Sequence, residues 1–193
     1  MKRRLLLTVL VLAMSAGMTI TGTYAAFSNV TASSGNQVTA GSVSVSDGHA
    51  AATAISISNL RPGTTASNCI NVTYDGNVAA DLRQYVSTSG TLVPYLNLKV
   101  TRGSGLSAGW PSCTGFTPDS VTYAAANGVI YNGTLSSFPT SAGAATLDPT
   151  NASPETWSPG ESHAYQYDVS VTNTAAAQGL SGSMTISWEV RSQ

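Results

Sequence analysis

The chain has 193 residues, a formal net charge of −1, and charged side chains at only 9 % of positions against about 25 % in an average protein. It is long enough for one domain with a core of ordinary size, and nothing in it calls for a second globular domain. Its wet surface must come from Ser, Thr, Asn, Gly and Ala. Without clustered Lys and Arg, a nucleic-acid partner is excluded.

In chain order, Lys2, Arg3 and Arg4 precede an apolar run from Leu5 to about Ile20, followed by small residues around Tyr24. A cationic start, an apolar core and a small-residue end make a secretory signal with cleavage expected between Ala25 and Ala26. The apolar run falls short of the ~20 residues of a spanning helix. Residues 1–25 are therefore read as a signal peptide and 26–193 as the mature domain, released or held at the cell surface only by other proteins, with no stable membrane anchor after cleavage. The mature part keeps five cations against nine acids, a charge of −4.

Alternation of apolar and polar residues then recurs at Val43–Ser46, Ala54–Leu60, Cys69–Tyr74, Leu92–Val100, Val129–Leu135, Tyr165–Val171 and Met184–Val190. Period two with β-branched and aromatic enrichment predicts strands. Val78–Tyr85 is the best candidate for a short helix. So many half-apolar strands predict an all-β fold, a single antiparallel β-sandwich of the jelly-roll or immunoglobulin-like kind with long loops. Two Pro-Gly turns, Leu60–Gly63 and Trp157–Gly160, are each followed by a predicted strand, because proline presets φ at the second turn position and glycine supplies positive φ at the third. Gly103–Phe116 and Pro139–Pro159 read as long irregular loops. Trp110 and Trp157 in them would either face a sugar or partner or cap the core.

Cys69 and Cys113 are the only cysteines, and with an export signal they predict one disulfide. Closing a loop of about 45 residues is worth ~4 kcal/mol on the chain-entropy model. Two buried thiols are the alternative; a redox pair would sit as Cys-x-x-Cys. No catalytic machinery is expected. His49 and His163 lie in separate regions and lack the H-E-x-x-H pattern of a zinc peptidase, although Glu161 and His163 would share one face of a strand. There is no Gly-x-Ser-x-Gly elbow, and acids such as Asp47, Asp75, Asp119 and Asp148 read as turn caps. The expectation is no enzyme, no metal and no cofactor.

Three stretches together resemble a known group. Ala26-Phe27-Ser28-Asn29 after the signal, leading to Ala40–Val45, is one; Ser58–Thr64 is the second, with Thr64 where an acid is usual; the third is Trp157–Ser162 with Val171-Thr172-Asn173 and Gln178-Gly179. Their order and spacing resemble the TasA/camelysin family of exported bacterial biofilm-matrix proteins. The resemblance implies processing by a dedicated signal peptidase, and self-association into fibres or with related matrix proteins. It implies a donor strand at residues 26–37, with Phe27 and Val30 as anchors, completing the sheet of the next subunit. A monomeric adhesin-like binding module is the alternative. A camelysin-like metallopeptidase comes last.

Overall fold

The computed structural model describes residues 28–31, 45–46, 54–56 and 60–193. Their strands are β1 (Ser28–Thr31), β2 (Val45–Ser46), β3 (Ala54–Ser56), β4 (Thr65–Tyr74), β5 (Ala80–Ser89), β6 (Leu96–Ser104), β7 (Thr117–Pro118), β8 (Val129–Thr134), β9 (Thr146–Leu147), β10 (Pro149–Thr150), β11 (Ser153–Pro154), β12 (Thr156–Trp157), β13 (Ser162–Val171) and β14 (Ser183–Ser192). One six-stranded sheet runs β1-β14-β5-β12, with β3 also on β14 and β9 on β5. The other runs β2-β4-β13-β6-β7, with β8 also on β6. All pairings are antiparallel. The expected all-β sandwich is what the chain forms.

The core lies between the two sheets and is filled by the inward set of each long strand. Leu96, Leu98 and Val100 on β6 meet Tyr165, Tyr167, Val169 and Val171 on β13, while Leu82 and Val86 on β5 meet Met184, Trp188 and Val190 on β14. Burial of this apolar surface, at roughly 25 cal/mol per Å², is the main stabilising term. A polar link crosses it between β13 and β5: Tyr167 Oη donates to Gln84 Oε1 at 3.0 Å. That link corrects the expected helix at Val78–Tyr85. Residues 80–85 of that stretch belong to β5, where Ala80, Leu82, Gln84 and Val86 are buried in strict alternation, and Val78 and Ala79 lead into it without helix. A glutamine at a core position broke the apolar period and gave a helical look.

Both Pro-Gly turns form. Thr64 N–H donates to Arg61 O and Glu161 N–H to Ser158 O, each at 3.0 Å, and Gly63 and Gly160 sit at φ +82° and +81°. The two differ at the fourth residue. Glu161 Oε2 accepts from Ser158 N–H at 2.7 Å, whereas the Thr64 hydroxyl donates back to Arg61 O. The strand expected from Leu92 begins at Leu96, because Val93–Tyr95 make a single 3-10 turn around Pro94, which has no N–H to give a ladder.

Cys69 and Cys113 are bonded, with Cα atoms 4.9 Å apart. The loop between β6 and β7 is thus carried to β4, the strand on the far side of β13, where Pro111 O accepts from Cys69 N–H. It covers the outer face of that sheet, which explains why Cys69, Ala164 and Thr101, all outward by register, are buried. Elsewhere that face is a polar row, with Asp168 held by Lys99, Ser67 and Gln166. These partners outweigh its partial burial and keep its carboxyl below the usual range.

Candidate functional sites

Two features stand out, and the strand register puts them at one end of the sandwich. The first is the side of β14 opposite β5. Across all ten residues β14 pairs with β5. Its other side is shared by two short strands: β3 faces Ser183–Thr185, and β1 faces Trp188–Arg191. The pairs Ser28–Arg191, Asn29–Val190, Val30–Glu189 and Thr31–Trp188 set the register of β1. Strands of three and four residues are short even for sheet edges, and they contribute few ladder bonds at about 1 kcal/mol net each. Glu189, opposite Val30, is buried and receives Arg191 Nε. Ala25, Ala26 and Phe27 lie outside the described residues, as do His49 and Asp47; of the expected donor segment 26–37, residues 28–31 form β1.

The second feature is a buried charge centre. Arg102 continues the inward parity of Leu96, Leu98 and Val100 on β6 and is only 2 % exposed. An uncompensated cation there would be prohibitive, so four segments bring it partners. Asp148 Oδ2 lies 3.3 Å from Arg102 Nε, and Asp119 Oδ2 lies 3.6 Å from Nη1. Glu155 Oε2 pairs with Nη2. Nη1 donates to Tyr123 Oη at 3.2 Å, and Nη2 donates to His163 Nε2 at 2.6 Å. Burial is the largest influence on the guanidinium and works against its charge. Asp148, Tyr165, Glu155 and Tyr123 together outweigh it and raise its pKa.

Asp148 fares differently. It is fully buried, and that desolvation pushes its carboxyl up to about 6 in spite of Arg102, because one off-axis cation and the Trp157 Nε1–H donor at 3.2 Å do not replace a water shell. Its Oδ1 and the buried Tyr165 Oη have no aligned hydrogen-bond partner. The expectation of turn-capping roles for Asp119 and Asp148 is therefore corrected. Both are counter-ions of Arg102, drawn inward by a buried charge that local turn chemistry does not report. Trp157 is correspondingly no surface aromatic; it is buried, edge-on to the His163 ring at 4.9 Å. Trp110 packs half-buried against the core.

Glu161 and His163 do share a face, with Glu161 Oε1 3.0 Å from His163 Nε2. Partial burial raises the Glu161 carboxyl, but the hydrogen bond from Ser158 N–H and the nearby Arg102 charge outweigh it and hold the carboxyl low. With Glu155 they form the one cluster of three metal-capable donors among the described residues, all within 4.8 Å of each other. The imidazole atom beside Glu161, Nε2, is the atom to which Arg102 donates. The segment expected as an irregular loop at Pro139–Pro159 is instead a zigzag of two-residue strands, β9 to β12, which carries Asp148, Glu155 and Trp157 to this centre. Sequence reasoning missed Arg102. Its one signal was a lone arginine at an apolar position of an otherwise alternating strand.

Fold and sites together define an all-β sandwich protein whose N-terminal strand closes an edge and whose one end is locked by a buried arginine. Residues 1–89 match the family described as camelysin metallo-endopeptidase, in agreement with the TasA/camelysin resemblance of the motifs. The match runs through the end of β5, so every residue of the Arg102 centre lies beyond it. No curated protein matches the chain.

Proposed function

We propose that this is a secreted structural protein, a biofilm-matrix or surface fibre subunit that assembles when the N-terminal strand of one copy takes the β1 position on β14 of the next. The observation that carries this reading is the short β1 at the shared edge of β14. A strand that pairs within its own chain makes the same contacts with a second copy, so exchange costs little beyond the loss of tethering. An edge left open would expose backbone donors and acceptors that an incoming strand satisfies. A head-to-tail exchange of this kind does not close and so propagates as a filament. The signal features at residues 1–25 and the weakly charged surface support an extracellular place.

A peptidase role, suggested by the name of the matched family, does not fit the donors present. Glu155, Glu161 and His163 meet around a guanidinium that already uses the imidazole nitrogen a metal would need. The chain acts without a cofactor in this reading. The test is capping. Excess synthetic peptide of residues 26–37 should halt filament growth of the purified protein, while a scrambled peptide leaves it unchanged; growth indifferent to both would refute strand exchange.

A further inference from the structure

We infer that Arg102 is the resident cation of the Glu155–Glu161–His163 cluster, filling with a guanidinium the place a divalent metal would take and closing that site to metals. Three observations converge on this. The donor atoms of the three residues lie within 4.8 Å of one another, a spacing compatible with a shared ion. Arg102 Nη2 contacts two of them directly, His163 Nε2 at 2.6 Å and Glu155 Oε2. The guanidinium cannot leave for solvent, since its side chain is 2 % exposed and is held from behind by Asp148 and Asp119.

Zinc bound through Nε2 would need the lone pair that accepts from Arg102, and an incoming dication would sit against a fixed positive charge. The site is therefore metal-like in its donors and metal-free by construction. In place of an ion, one side chain ties β6, the 119–123 segment, the β9–β12 zigzag and the start of β13 into one closed end. Removing the guanidinium while keeping the donors converts the cluster into a zinc site.

The test uses 15N-labelled full-length protein titrated with zinc chloride, following the ring nitrogens of His163 with His49 as internal control. In the wild type, the His163 signals stay fixed at one equivalent of zinc, and a through-hydrogen-bond coupling links Arg102 Nη2 to His163 Nε2. In Arg102→Met, zinc shifts the His163 signals, and adding His163→Ala weakens binding by at least ~10-fold. Zinc binding at His163 in the wild type, or a folded Arg102→Met whose His163 ignores zinc, overturns the inference. If Arg102→Met does not fold, the wild-type coupling decides: its presence supports the resident guanidinium, and its absence overturns it.

Discussion

Replacing Asp148 with Asn should make the protein more stable at neutral pH and leave it unchanged in acid. Asp148 is completely buried, and its pKa rises from 3.8 to about 6 because desolvation of the carboxylate exceeds what Arg102 returns. A group whose folded pKa lies above its unfolded one contributes stability that is whole below the unfolded value. That stability is lost as pH rises through the folded value. The gap from 3.8 to about 6 corresponds to about 3 kcal/mol lost between roughly pH 4 and pH 7. Asn keeps the shape and the acceptor for Trp157 Nε1–H but carries no charge, and Arg102 retains Glu155 and Asp119. Urea unfolding of both proteins at pH 4, 5, 6 and 7 isolates the effect. Glu161 and Asp168, both held low, give stability present above the unfolded carboxylate range and lost below it, and they cancel in the difference. The variant should equal wild type at pH 4 and exceed it by about 3 kcal/mol at pH 7. A difference independent of pH would refute the reasoning and show that Arg102 keeps Asp148 ionised at no cost.

Reduction of Cys69–Cys113 frees the strap over β4, β13 and β6; with a sequence separation of 44, it should cost ~4 kcal/mol, read as a lower urea midpoint with reductant. Gly128 sits at φ +70° with its missing Cβ directed at Arg102 O and Asp119 N. Gly128→Ala should therefore destabilise by more than ~1 kcal/mol, whereas Gly109→Ala, with nothing within 4 Å, should be neutral; thermal melts distinguish them. Because Asn29 faces Val190, Asn29→Cys with Val190→Cys should yield disulfide-linked ladders on non-reducing gels of assembled protein and an intramolecular bond in monomer.

Much of the sandwich could be read in the sequence, because β4, β6, β13 and β14 alternate apolar and polar residues over most of their length and Pro-Gly turns mark the starts of β4 and β13. The weak point was β5. There Gln84 stands at a core position, and its partner Tyr167 lies 83 residues away. The disulfide followed from cysteine count and export signal alone. The Arg102 centre was hidden for a different reason: its six ion-pairing members are spread from residue 102 to 163 and meet only through strand order. Glu161 and His163 were visible as a same-face pair. What fills the space between them and Glu155 was not.

The most direct test of the fibre reading is electron microscopy with size-exclusion chromatography on chains beginning at Ala26 and at Val38, each checked for folding by circular dichroism. Filaments from the first and folded monomer from the second are the predicted result. Monomer from both, or filaments from both, would contradict assembly through the N-terminal strand.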